Sequence, residues 1–470
     1  MISIDEFRAR RASLIEKCAP SSLVIVPAAS AVTRSNDTEY PFRQDSDFFY
    51  LTGFAEPDAF LLLSNQLAGS QEPSASSQEP SASSQKPSES KANATENTPF
   101  ASMMFVLPKD QHAEIWHGRR LGVQAAPDAL GIDEAFSIDE IDELLAELIN
   151  GHEHLYFSLD KYPQADAVVQ AALAQCKAAP KQSMLAPSSI VDVDPLIHAM
   201  RRIKSDAELQ IMRKAASISV DAHLRAMRFC QPGVWEYQLA AEIHHEFAMR
   251  GACAPAYSSI VGSGENACIL HYTENSKAIE DGDLVLIDAG CELQGYAADI
   301  TRTFPANGTF TEAQKALYEL VLDAQLAALT KLVPGSTIAD AMQECVHVIT
   351  HGLLRLGILK GTFSDLLEQE AWRPYFMHGL GHYLGLDVHD VGKYKQQGKD
   401  IPLSPGVVIT VEPGLYIAPN SPAPKQYHGI GIRIEDDIVI TESGHEILTS
   451  ALPKEVSAIE ALMSGRQSSA

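Results

Sequence analysis

Gly282 to Phe304 reads GDLVLIDAGCELQGYAADITRTF. Leu284 to Ile287 is an apolar, β-favouring run that ends on a carboxylate, Asp288. A Gly-containing turn follows, and a second extended segment carries Asp299 inside AADITRTF. The pattern predicts a hairpin or bulged strand pair. Eleven positions apart, the two aspartates can reach one mouth of a sheet. An acid at the end of an apolar strand is costly unless something pairs with it. A divalent cation is the simplest partner.

The same motif recurs on either side. His271 sits in ILHYTEN, His378 and His382 in HGLGHYLG, His389 in LDVHD, Glu412 in TVEPGLY and Glu435 in GIRIEDD. Any one of these has an ordinary structural reading, since an Asp after a strand is usually a turn former. Together they do not, because clustered carboxylates need compensating charge. Asp288, Asp299, Glu412 and Glu435 carry four negative charges, and His382 can bind as neutral imidazole. Two divalent cations balance that set. Carboxylate-rich ligation with one imidazole suits a hard or borderline ion such as Mn²⁺. Structural zinc would want thiolates, and HGLGH lacks the Glu of a helical HExxH motif. Two ions sharing a water can lower its pKa and polarise a carbonyl. The reading is dinuclear metal hydrolysis from a sheet-mounted site.

The 470 residues allow two domains, each large enough for its own core. With 61 acids against 36 bases the formal net charge is -25, which argues against nucleic-acid and anionic-membrane partners. Seven cysteines, Cys18, Cys176, Cys230, Cys253, Cys268, Cys291 and Cys345, are scattered with no CxxC pair. They read as free thiols in a reducing, cytoplasmic setting. MISIDEFRARRASLIEK lacks the apolar h-region of a signal peptide. No apolar run approaches the roughly 18 residues that span a bilayer.

In the first half, residues 4–17 read as an amphipathic helix, with strands at 22–27, 59–63, 103–108 and near 154–159. Helical segments are expected around 137–150 and 163–178. That alternation is α/β. Between 69 and 98 the heptad QEPSASS occurs twice letter for letter, then decays. This apolar-poor insert reads as a flexible surface loop. A Pro- and Ser-rich stretch, 179–193, places the boundary between domains at 1–182 and 190–470. Beyond it, Ser205 with Glu208 forms a capping box for a long helix. Further helices are expected at 236–250, 312–332 and 337–356, and strand-like segments at 257–261, 267–272 and 376–449. Helices grouped around curved antiparallel sheet make this half α+β.

DAGCELQGYAADITRTF, HGLGHYLGLDVHD, VEPGLYI and GIGIRIEDD resemble the signature blocks of the pita-bread metallopeptidases, closest to the bacterial aminopeptidase P branch. Residues 33–54 and EIWHGRRLG resemble that branch's N-terminal domain; only the insert departs. The resemblance implies a pita-bread catalytic domain behind a smaller α/β domain. It also implies an exopeptidase with two Mn²⁺ or other divalent ions per chain. Such an enzyme removes the first residue of peptides with proline second, through a hydroxide bridging the ions. Asp288, Asp299, His382, Glu412 and Glu435 fall on the ligand positions, with Asp299 and Glu435 as bridges. His271 and His389 match residues that hold substrate and stabilise the tetrahedral intermediate. His378 matches a histidine on the prolyl side, Glu412 a proton shuttle, Arg433 a supporting arginine and Tyr416 a tyrosine behind the ligands. Trp116 is similar to a tryptophan that packs over a neighbouring subunit's pocket, implying a homodimer or homotetramer. Ordinary packing is the competing reading for Trp116.

Prolidase shares the catalytic blocks, and the N-terminal segments speak against it. Creatinase-like amidinohydrolases lack the metal set, and methionine aminopeptidase lacks the large N-terminal domain. A non-catalytic pita-bread peptide-binding module should have lost one or more ligands, and all five are present.

Overall fold

A computed structural model describes residues 2–66 and 100–465. The 69–98 insert, expected to be a flexible loop, lies outside the described residues. The chain forms two compact units, 2–198 and 199–470. Among the described residues no helix is long and apolar enough to cross a membrane.

The first unit is built on a six-stranded mixed sheet. Its order is Glu134–Ser137, Ala101–Val106, Phe60–Ser64, Ser22–Pro27, His154–Tyr156, Ser189–Val191. Ser22–Pro27 is buried throughout, as a central strand covered on both faces should be. Helices Ile141–Ile149 and Pro163–Ala178 close one core, with Leu23, Leu62, Phe105, Leu145, Val169 and Leu173 inside.

The helix expected at 4–17 forms at Ile4–Ile15, but it is not simply amphipathic. Its buried face includes Arg10 and Arg11. The Arg11 guanidinium donates to the carbonyls of Leu51, Leu130 and Gly131, and Arg10 donates to that of Tyr50. Those carbonyls end short helices, where main-chain acceptors lack helical partners. Buried arginine therefore caps what the helices leave open, and hydropathy alone misjudges the face.

The second unit gathers four long helices, Asp206–Phe229, Glu236–Met249, Glu312–Leu329 and Ile338–Arg355, around short antiparallel sheets. The Ser205–Glu208 capping box forms as expected. One sheet orders Ile260–Ser263, Leu284–Asp288 and Thr301–Pro305. A second orders Val408–Val411, Asp436–Thr441 and Gly444–Ile447, and a hairpin pairs Gly414–Ile417 with Ile430–Arg433. The Glu435 amide donates to the Thr301 carbonyl, joining the first sheet to the Glu435 strand.

The opening stretch is more elaborate than one hairpin. Leu284–Asp288 and Thr301–Pro305 pair directly, with Asp288 opposite Thr301. A smaller hairpin, Cys291–Leu293 with Tyr296–Ala297, is inserted between them. Its turn places Gln294 and Gly295 at positive φ, 52° and 84°, the two-residue geometry that suits a twisted hairpin. Asp299 therefore lies two residues ahead of its strand. Any Cβ at Gly290 would collide with the Ala298 carbonyl, so glycine is what lets the two segments close behind the aspartates. Residues 267–272 are not a strand. They run from a 3₁₀ turn, Gly264–Cys268, into a segment without regular structure.

Candidate metal centre

Residues 257–435 of the second unit line a cavity of about 700 Å³. Around it stand Asp288, Asp299, His382, Glu412 and Glu435, together with His271, His378, His389 and Arg433. The four acids and His382 arrive near strand ends or on a glycine-rich turn. Asp288 closes its strand, Glu412 follows Val408–Val411, and Glu435 lies between Ile430–Arg433 and Asp436–Thr441. The HGLGH segment is a turn, as its glycines require. A Cβ at Gly381 would strike the Thr410 carbonyl. That contact lets the His382 amide donate to Thr410 Oγ1 (3.1 Å).

Ligand atoms of Asp299, His382 and Glu435 lie within 4.8 Å of one another. His382 Nε2 is 3.5 Å from Asp299 and 3.6 Å from Glu412. His382 Nδ1 donates to the Tyr383 carbonyl (3.0 Å), which leaves Nε2 facing the acids. Asp288 joins through Tyr257, whose hydroxyl is 2.5 Å from Asp288 Oδ1 and also contacts Asp299 Oδ1. The single Tyr257 hydroxyl thus draws both carboxylates to one point, where a cation would offset their charge.

The electrostatics agree. Burial, then the charge of Asp288, pushes the Asp299 carboxyl up against the pull of His382. Burial with Asp299, Glu412 and Asp288 pushes Glu435 well above the carboxylate range. Burial raises Glu412 to about 7 despite His382 and Arg433. Burial alone would lower His382, but Asp299 and Glu412 outweigh it and raise the imidazole to about 9. Such a cluster is strained as protein alone and relieved by divalent cations. No thiol lines the cavity, so the donor set fits a hard or borderline ion.

Behind the acids runs a hydrogen-bonded chain. Arg433 pairs with Asp288 (2.5 Å) and donates to Tyr416 Oη (3.0 Å). Tyr416 Oη lies 2.8 Å from His378 Nε2, and His378 Nδ1 lies 2.8 Å from the Gly379 carbonyl. The carbonyl can only accept, so His378 carries its proton on Nδ1 and takes the Tyr416 proton at Nε2. Burial and then Arg433 push His378 down to about 4, keeping it neutral. The His389 ring centroid lies 4.0 Å from that of His382 with the planes tilted by 46°, and burial lowers the His389 pKa. Trp116 belongs to the other unit, on a helix, Gln111–His117, with no buried residue.

Sequence reading missed Tyr257, Thr301 and Asp437. Thr301 Oγ1 donates to Glu435 (2.6 Å) and accepts from Arg433 Nε (3.1 Å). Asp437 accepts the Asp299 amide at 3.2 Å. Asp437 was detectable, since it stands two residues beyond Glu435 and so on the same face of an extended segment. Tyr257, in APAYSS, gives no such signal. A second acidic group, Asp47, Asp194 and His198, lies in the first unit. There the Lys161 ammonium, 2.8 Å from Asp47 and 2.9 Å from Asp45, already supplies the cation.

A family model described as Metallopeptidase family M24 matches residues 210–442. One described as Aminopeptidase P, N-terminal domain, matches residues 7–156. The chain belongs to metallopeptidase family M24. This M24 chain is 49% identical over 462 residues to the Xaa-Pro aminopeptidase of Escherichia coli (strain K12), covering 98% of each. It is 44% identical to that of Haemophilus influenzae over 98% of this chain and 97% of the relative. The structure of zinc-substituted E. coli aminopeptidase P with product superposes with a TM-score of 0.91, at 48% identity over 99% of each chain. The M24 catalytic unit thus has the pita-bread fold behind an aminopeptidase P-type N-terminal domain, as the sequence blocks imply.

Proposed function

We propose that this M24 metallopeptidase is an Xaa-Pro aminopeptidase, cleaving the bond between an N-terminal residue and a following proline. The observation that carries the reading is the convergence of four carboxylates and the Nε2 of His382 on one cavity. The family relationship supplies the exopeptidase chemistry. We assign Asp288, Asp299, His382, Glu412 and Glu435 as the residues that would hold two Mn²⁺ ions. Divalent ions held there supply a Lewis acid for the scissile carbonyl and a water of lowered pKa.

The chain's own groups do the rest. Glu412 faces His382 with one oxygen and His378 with the other, at 3.6 and 3.8 Å, and carries a proton from water to the leaving prolyl nitrogen. His271 and His389 donate N–H bonds to the charge that develops on the carbonyl oxygen. His378, neutral and fixed by Gly379 and Tyr416, lines the prolyl side. Arg433 stays charged despite burial because Tyr416, Asp288, Glu435 and Glu412 surround it, and it holds Asp288 and Tyr416 in place.

Chelation is expected to abolish release of Xaa from an Xaa-Pro-Yaa tripeptide, and Mn²⁺ to restore it with two ions bound per chain. Cleavage of Xaa-Pro dipeptide alone would move the assignment to prolidase, which the relatives do not favour. Metal binding without turnover would make the chain a binding module.

Trp116 and Ile115 are 74% and 73% exposed side by side. Adjacent exposed apolar side chains mark an interface. We assign Trp116 to the substrate pocket of a neighbouring subunit in a cytoplasmic homodimer or homotetramer. Trp116→Ala should then raise KM several-fold with metal content unchanged. An unaltered KM in the assembled oligomer would remove Trp116 from the site.

A further inference from the structure

His271 stands on a segment held by no helix and no strand ladder. Among the described residues, 270–276 belong to neither kind of element, and beyond a turn at Leu270 and His271 they have no regular structure. Leu270, His271 and Thr273 nevertheless line the metal cavity. An unpaired segment pays its ordering entropy from side-chain contacts or does not order at all.

Asn275 pairs with the Val261 amide and the Ser259 carbonyl (both 2.9 Å), and the other contacts converge on Glu236, the fully buried first residue of the helix Glu236–Met249. Glu236 Oε1 accepts from the Ser263 amide (2.7 Å), Ser263 Oγ (2.7 Å) and Asn266 Nδ2 (3.1 Å). Glu236 Oε2 accepts from Tyr272 Oη (2.9 Å) and the Lys277 amide (2.8 Å). All five donors are neutral, and they bracket the segment at 263–266 and 277 while gripping it at Tyr272. Tyr272 Oη in turn accepts the Ser276 amide (3.3 Å). The Lys277 ammonium is engaged elsewhere, 3.0 Å from Asp283. Burying a carboxylate without a counter-charge is expensive, and bonds from donors to a charged acceptor are the strong ones that offset it. Tyr272 points back to Glu236 while its neighbours His271 and Thr273 face the cavity. The anchor and the working histidine are thus adjacent residues.

We infer that Glu236 is a positioning residue for catalysis: by holding Tyr272 and both ends of the 263–277 segment, it sets His271 at the substrate. It touches neither metal ligands nor cavity. The inference rests on the role proposed above for His271.

Glu236→Gln keeps the volume but presents an NH₂ where the carboxylate accepted bonds. Tyr272→Phe removes two bonds, the one to Glu236 and the one from the Ser276 amide. Glu236→Gln should lower kcat/KM for an Xaa-Pro-Yaa tripeptide about 10- to 100-fold, and Tyr272→Phe should act in the same direction but less. Two manganese ions should remain bound per chain in both. Exchange of the Ser276 and Lys277 amides, held by Tyr272 and Glu236, should quicken in both while exchange in the Leu284–Asp288 strand holds. In a His271→Ala background, Glu236→Gln should add less than about twofold, since coupled residues are non-additive. An undiminished loss in that background would make Glu236 a stability residue only and overturn the inference. So would unchanged exchange of the Lys277 amide in Tyr272→Phe, the milder variant, should Glu236→Gln not fold. If the wild-type protein fails to cleave the peptide, the functional reading falls, while the exchange arms still decide whether Glu236 holds the segment.

Discussion

Asp299→Ala is expected to lower turnover of an Xaa-Pro-Yaa tripeptide about a thousandfold or more, matching the several kcal/mol that metal assistance supplies. Asp299 links several of the acidic and histidine groups of the site. It lies 3.5 Å from His382 Nε2, shares Tyr257 with Asp288, and forms a ligand cluster with His382 and Glu435. Its backbone amide is separately held by Asp437, so truncating the side chain leaves the main chain anchored. The metal-free protein should not lose stability. Burial and the neighbouring acids raise the Asp299 carboxyl, so its charged form opposes folding when no cation is present. The metal-free variant should melt at or above the metal-free wild type, while metal-dependent stabilisation drops. Calorimetry with and without Mn²⁺, beside the peptide assay, reads both effects. More than a small fraction of wild-type activity would defeat the dimetal assignment.

The second large effect concerns stability. Asp390 lies between Arg201 (2.6 Å) and Lys204 (2.8 Å), with all three side chains no more than 2% exposed. Arg201 has Asp387 as a further partner at 2.7 Å, whereas Asp390 is the carboxylate facing the Lys204 ammonium. Asp390→Asn leaves that ammonium buried against an amide, a loss of about 3–5 kcal/mol. Unfolding should then shift down by about 10 °C. The same group sets a pH dependence. Burial opposes its charge, but Lys204 and Arg201 overcome that and hold the folded pKa below the usual carboxylate value. Its contribution is therefore fully present above the unfolded pKa of about 3.9 and is lost as pH falls through the lower folded value. Between about pH 5 and pH 3, the wild type should lose stability more steeply than Asp390→Asn. Equal slopes in denaturant titrations would show that the cluster does not bear the stability assigned to it. Asp390 follows His389, and its amide donates to the Tyr383 carbonyl (2.8 Å), so the cluster also anchors the turn carrying both site histidines.

Much of this was legible before any coordinates. The ends of apolar runs announced Asp288, Glu412 and Glu435, because a strand that terminates on an acid needs a partner for it. The glycines of HGLGH announced a turn, and Ser205 with Glu208 announced a helix start, both from local chemistry. What misled was equally physical. Residues 267–272 are apolar enough to read as a strand, yet they are held by Tyr272 and Glu236 side-chain bonds instead of a ladder. Arg10 and Arg11 look like a solvent face, but distant carbonyls recruit them inward.

The sequence by itself brought forward four carboxylates and one imidazole as a set whose charge a cation would balance, because charge counting needs no tertiary contacts. It also determined the class of fold that could present them, through strand and helix periodicity. Only the tertiary structure decided how they are held. Tyr257 bridging two aspartates, Thr301 bridging Glu435 and Arg433, and the relay from Arg433 through Tyr416 to His378 all join residues far apart in sequence. Their geometry depends on cross-strand register, such as Gly414 opposite Arg433, and on buried donors finding acceptors. Such pairings are settled by packing between elements, which no local pattern encodes.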